Sequence, residues 1–158
     1  MSDPRKFSHL DAQGAARMVD VSAKQVTRRE AEASCRVALA RDTIARLADL
    51  PKGDALAVAR LAGIQAAKRT GDWIPLAHPL PLEHVAVAIE PDADGVRITS
   101  RVVAIARTGA EMEALVACSA AALTLYDMVK AVDRGAVITD LRLEAKSGGA
   151  SGDFRREP

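Results

Sequence analysis

From Thr108 to Asp133 the chain reads TGAEMEALVACSAAALTLYDMVKAVD, with Leu115, Val116, Ser119, Ala122, Leu123, Tyr126 and Val129 recurring at steps of three and four. That is the spacing of one face of a 3.6-residue period, and it predicts a central helix that buries this face. Upstream the period changes to two. Val85, Val87 and Ile89 alternate with Ala86, Ala88 and Glu90, and Val96, Ile98, Ser100 and Val102 alternate with Arg97, Thr99, Arg101 and Val103. Two strands are expected, joined as a hairpin by the turn residues of Pro91 to Gly95. Val137, Thr139, Leu141, Leu143 and Ala145 trace a last strand by the same alternation.

Nearer the start, Met18, Val19 and Val21 around Asp20 predict a short first strand ending at Ser22. Thr27 followed by Glu30 has the capping-box pattern, and Val37, Ala40, Ile44 and Leu47 extend it as a helix ending near Leu50, before Pro51. Gly53 and Asp54 supply a turn and an N-cap. Leu56, Ala59, Gly63, Ile64 and Ala67 then predict a second helix whose small buried side permits close approach of another helix. Residues 1–14 read as a loose N-terminus and residues 146–158 as a glycine-rich tail. The expected order is strand, two helices, strand, strand, helix, strand. Setting one helix aside leaves the β-α-β-β-α-β order of a ferredoxin-like α+β sandwich, an antiparallel sheet with helices on one face. The other face carries Arg97, Thr99 and Arg101, which suits solvent or a subunit contact.

A length of 158 residues fits one domain spanning the whole chain, with no internal repeat and no linker. The net charge of +1 argues against a nucleic-acid binder held by a basic field. Phe7, Trp73, Tyr126 and Phe154 are the only aromatic residues, too few for the stacking platforms of an RNA-binding sheet. Cys35 and Cys118 fall in patterns read as helical, lack metal-ligand spacing and read as small core residues. The first residues do not resemble an export signal and no run of 18 apolar residues occurs, so a cytoplasmic protein without a membrane partner is expected.

Candidate chemistry collects in four places. Asp127 and Lys130 stand three apart in an apolar helix and can meet on one face, either as a surface ion pair or as an acid/base pair. Trp73 to Pro81 holds three prolines and one titratable group, His78, which is displayed for binding or proton transfer or else packed within a rigid connector. Lys52 precedes a helix N-terminus, where an anion is favoured, although many such lysines are merely solvated. Lys146 opens KSGGASG, whose glycines let backbone N–H groups approach an anion; a frayed terminus is the alternative. HExxH, paired CxxC and Gly-x-Ser-x-Gly motifs are absent, and nothing calls for a metal.

Six stretches in order, MVDVSAK (18–24), ARLAGIQAAKRT (59–70), IPLAHPL (74–80), RTGAEMEAL (107–115), AALTLYDMVKAV (121–132) and AKSGGASGDF (145–154), resemble the cyclic pyranopterin monophosphate synthases, the C proteins of early molybdenum cofactor biosynthesis. The resemblance implies a ferredoxin-like subunit assembled as a hexamer, a trimer of dimers. The implied reaction turns a cyclised dihydroguanosine triphosphate, made by a partner radical enzyme, into the cyclic pyranopterin monophosphate with release of pyrophosphate. Asp127, Lys130 and Lys52 correspond to catalytic residues. Leu76, Ala77, His78, Met112, Glu113 and Lys146 correspond to substrate contacts. No cofactor is implied; Mg²⁺ would enter, if at all, as a counter-ion of the triphosphate. Ala77 stands where many relatives have cysteine, so a thiol there is not required. The competing expectation is a non-catalytic nucleotide-binding regulatory module, because a ferredoxin-like fold serves both purposes. Glu113 and Asp127 lie 14 residues apart, roughly 21 Å along one helix. If both serve one substrate, the site draws on two subunits.

Overall fold

The computed structural model describes residues 10, 11 and 13–157, so the expected loose start falls mostly outside the described residues. The sheet is built around β1 (Thr27–Ala38), which pairs antiparallel with β3 (Gly95–Ala106) on one side and β4 (Val137–Ser147) on the other. The hairpin mate β2 (Leu82–Asp92) lies outside β3, and the short β5 (Phe154–Arg155) returns along β4. The order β2-β3-β1-β4-β5, with helices α2 (Ala55–Ala67) and α4 (Glu111–Val129) against the sheet, is the expected ferredoxin-like α+β sandwich. Two short helices, α1 (Arg41–Ile44) and α3 (Thr70–Trp73), flank α2.

β1 overturns the expected helix that begins with the Thr27–Glu30 pattern. Arg29, Ala31, Ala33, Cys35 and Val37 are all buried, a period of two that points one side of the strand at the helices. All twelve of its residues pair with β3 and eight of them also with β4, and such long-range pairing overrides a local capping signal. Glu30 meets Arg28 and Arg101 instead of a helix end. Of the predicted helix only the four-residue α1 survives, and Cys35 sits on a strand. The first strand expected at Met18 to Ser22 is also corrected: that segment has no regular structure, although Val19 and Val21 are half-buried. The β-α-β-β-α-β order therefore stands with its first strand moved downstream.

α2 and α4 approach closely at Gly63, where a Cβ would lie 2.8 Å from the Ala117 carbonyl oxygen and 3.3 Å from the Ala121 methyl. Asp54 caps α2, its carboxylate accepting from the Leu56 and Ala57 N–H groups at 3.0 Å. α4 is 19 residues long and apolar enough by composition to cross a membrane, but it is the core helix here. Ala114, Ala117, Cys118, Ala121, Leu125 and Val129 are completely buried. The predicted buried face is thus partly wrong: Leu123 is 53% exposed, and Leu115, Ser119 and Tyr126 are half-buried. α4 has a second apolar stripe, and its sequence period blends the two.

β4 departs from simple alternation. Its register against β1 shifts twice, and Asp140 takes a left-handed φ of 54°. Ile138 and Leu143 consequently both pack on the core, whereas Val137 and Leu141 are exposed. The tail is not wholly loose, since Lys146 pairs with Phe154 across the β4–β5 ladder. The open sheet face carries ion pairs of Arg101 with Glu30, Arg36 with Asp92, and Arg142 with Glu144.

Candidate functional site

The candidate residues gather at both ends of α4. At its C-terminal end Asp127 lies between two lysines: Lys130 Nζ is 2.6 Å from Oδ1, and Lys52 Nζ is 2.8 Å from Oδ2. The pair is exposed, not buried among apolar side chains. Lys52 also donates to the Asp127 backbone oxygen at 2.9 Å. It reaches the helix from the tip of a turn closed by a 2.8 Å bond from Gly53 N–H to the Leu50 carbonyl, with Leu50 buried as anchor. Lys130 and then Lys52 hold the Asp127 carboxyl down at about 2, and Asp127 in turn raises the proton affinity of Lys130. The three groups form an ionised cluster whose carboxylate is a weak base while both ammonium groups remain on it.

At the N-terminal end the proline-rich loop, the first turn of α4 and the Val19–Lys24 segment enclose a cleft of about 510 Å³. Leu76, Ala77, His78, Met112 and Glu113 all line it, so the structure brings together five residues expected to contact substrate. Glu113 is 3% exposed, and burial, reinforced by Glu111, pushes its carboxyl up to about 7. It can therefore give or take a proton near neutrality. Ala77 presents only a methyl group to the cleft.

The cleft shares Lys24, Thr108 and Gly109 with an adjoining hollow of about 820 Å³, also lined by Gln25, Thr27, Arg29, Arg107 and the Gly149–Ser151 turn. Arg29 is buried, and its guanidinium donates to three carbonyls: Ala106 at 3.4 Å, Gly148 at 3.2 Å and Arg107 at 3.3 Å. Gly149 has φ +87°, and a Cβ there would run into that guanidinium. Among the described residues no carboxylate lines this hollow, which leaves a basic wall suited to an anion. Lys146 sits around the corner, donating to Ser151 Oγ at 2.7 Å and pairing with Glu111 at 3.2 Å. The tail also offers fewer free donors than its glycines suggest, because Gly148 N–H is taken by Asp153.

Within one chain, then, the site residues form two separate groups. Lys52, Asp127 and Lys130 meet at one end of α4, whereas the cleft residues gather at the other with Lys146 nearby. Arg29, Lys24, Val19 and Val21 line these cavities without having been among the expected residues. A signal existed for Arg29: read as a strand, residues 27–38 put it on the same parity as Ala31, Ala33, Cys35 and Val37. Among the described residues no group of three or more His, Cys, Asp or Glu side chains could hold a metal ion.

The MoaC family model matches residues 18–149. The chain is 58% identical over 158 residues to the cyclic pyranopterin monophosphate synthase of Streptomyces griseus, covering 99% of this chain and 89% of that protein. It is 57% identical over 153 residues to cyclic pyranopterin monophosphate synthase 3 of Mycobacterium tuberculosis, covering 95% and 86%. The corresponding synthase of Dinoroseobacter shibae is 57% identical over 155 residues, covering 96% and 98%.

Proposed function

Because the chain belongs to the MoaC family, we propose that it is a cyclic pyranopterin monophosphate synthase of molybdenum cofactor biosynthesis, a phosphorus–oxygen lyase acting in the cytoplasm. Its substrate is the cyclised dihydroguanosine triphosphate, 3′,8-cyclo-7,8-dihydro-GTP, supplied by a radical enzyme. The observation that carries this reading is the cleft with its buried Glu113 opening onto a basic hollow. Such a pair of compartments suits a purine-derived ring joined to phosphates.

Glu113 reads donor groups of the ring, and His78 and the Leu76–Ala77 backbone hold its position. Lys24 and Arg29 meet phosphate oxygens, with Lys146 at the margin. Asp127, Lys130 and Lys52 carry the proton transfers of ring opening and reclosure. In the closing step a sugar hydroxyl attacks the innermost phosphate. A new oxygen–phosphorus bond forms, the bond to the outer two phosphates breaks, and pyrophosphate leaves as the hydroxyl proton passes to a base. Phosphates that draw Lys52 off Asp127 would strengthen that carboxylate as the base, so substrate binding itself activates the site. The chemistry needs no redox cofactor; Mg²⁺ belongs, if anywhere, with the phosphates.

The two residue groups become one site in a dimer. Along the outer side of α4, Met112, Leu115, Ser119, Leu123 and Tyr126 form a stripe that its own chain leaves partly uncovered. Ser119 lies midway between Met112 and Tyr126 in sequence, and its small side chain permits close approach. Antiparallel packing of two α4 helices about Ser119 would set Met112 and Glu113 of one subunit beside Asp127 of the next, twice by symmetry. A hexamer, three such dimers, would use the charged open sheet face for its remaining contacts.

Incubating the protein with the cyclised intermediate should release pyrophosphate and yield a pterin that becomes fluorescent on oxidation. Binding without either product would instead identify a nucleotide-binding regulatory module.

A further inference from the structure

The Val19–Lys24 segment forms one wall of the cleft, yet it lacks regular structure and is exposed apart from its two valines. It has a defined local shape. Asp20 Oδ1 accepts the Ser22 N–H at 2.9 Å, and Lys24 N–H donates to the Val21 carbonyl at 3.0 Å, closing a turn. Val19 and Val21 line the cleft together with Leu76, His78 and Met112. Among the described residues, one side-chain hydrogen bond ties this turn to the rest of the fold: Arg107 Nε donates to the Lys24 carbonyl at 3.1 Å.

Arg107 is itself held. Its carbonyl accepts from Arg29 Nη2 at 3.3 Å, and Arg29 also grips Gly148 of the C-terminal turn. A continuous chain of contacts thus runs from the glycine-rich turn through Arg29 and Arg107 to Lys24. Lys24 occupies the boundary of the cleft and the basic hollow, so any slackening of the turn moves both a cleft wall and a cation.

We infer that Arg107 is a positioning residue, the latch that fastens the Val19–Lys24 strap over the cleft and so fixes Lys24 where ring and phosphates meet. The inference rests on the proposed substrate only for its effect on turnover; the latch itself is a property of the free protein. Losing one such bond should raise KM by roughly two- to tenfold, with kcat changed by less than about twofold, because the strap orients substrate without entering the chemistry.

The test compares the wild-type chain with Arg107→Ala and Arg107→Lys. Hydrogen exchange of the Ser22 and Lys24 amides is measured without ligand, and KM and kcat with the cyclised intermediate. Arg107→Ala should speed exchange in the strap and raise KM, and Arg107→Lys, which keeps a donor, should restore both in part. Unchanged strap exchange in Arg107→Ala overturns the latch whatever happens to turnover. A fall in kcat at constant KM also overturns it, by assigning Arg107 to the chemistry. If Arg107→Ala does not fold, Arg107→Met, which keeps the apolar stem and removes the donor, should show the same exchange and KM changes. Absence of turnover in the wild-type chain would sink the proposed function, while the exchange comparison would still decide the latch.

Discussion

Glu113 and Asp127 are carboxylates on the same helix with opposite electrostatics. Burial raises the Glu113 carboxyl to about 7, whereas Lys130 and Lys52 lower that of Asp127 to about 2. For Glu113 the folded chain binds its proton more tightly than the unfolded chain, whose carboxyl titrates near 4.5. Its contribution to stability is therefore fully present below about pH 4.5 and is lost as pH rises through about 7. Glu113→Gln should remove this pH dependence, so that urea midpoints of mutant and wild type diverge in favour of the mutant from acid to pH 8. A constant difference would mean that Glu113 is not buried as a protonated acid. Asp127 remains ionised throughout this range. Asp127→Asn should abolish turnover with little change in the unfolding midpoint, since the carboxylate is exposed. Adding Lys130→Ala should cost little more, because groups acting as one unit are not additive. Multiplying losses in the double mutant would assign the two residues to separate steps.

At the scale of elements, the contact between α2 and α4 depends on the missing side chain at Gly63. Alanine is favoured over glycine in a helix interior by about 0.8–1.0 kcal/mol. Here its methyl would press on the Ala117 carbonyl, a backbone atom that cannot rotate away. Overpacking of this kind costs typically 1–3 kcal/mol, so Gly63→Ala should be net destabilising by up to roughly 2 kcal/mol. The check is the denaturant midpoint at pH 7, and a mutant more stable than wild type would show that the helices separate freely. Most of these elements were legible in the sequence. The hairpin followed from alternation around a turn, α2 from Asp54 and its small residues, and α4 from its apolar period. β1 was not legible, because Thr27 and Glu30 match a capping box by accident and a strand paired on both edges shows only its buried parity. On β4 the shifts in register near Asp140 and Glu144 left no trace in the alternation.

For the whole molecule, the proposed dimer places the two ends of α4 in one pocket, and this is open to a direct test. Leu123→Asp, on the exposed stripe, should weaken assembly in sedimentation velocity without unfolding the chain; an unchanged oligomer would exclude that stripe as the interface. Complementation tests the pocket itself. Asp127→Asn and Glu113→Gln chains, each inactive alone, are mixed under conditions that exchange subunits. A mixed dimer holds one pocket with both native residues and one with neither, so mixed dimers should recover up to about half of their pockets. No recovery after verified exchange would return both residues to a single-chain site.

By itself the sequence determined the fold class, the single long core helix and the hairpin, and it named most of the residues proposed for the site, because local period, turn chemistry and ordered motifs are written in neighbouring residues. The Asp127–Lys130 contact was also within reach, three positions being nearly one helical turn. Only the tertiary structure decided that residues 27–38 are a central strand, since their partners are some 60 to 120 positions away. It alone put Lys52 on Asp127 across 75 positions and buried Arg29 against Arg107 and Gly148. It also separated the buried face of α4 from the uncovered one. Both faces are apolar, and a helical period records which residues share a side but not what lies against it.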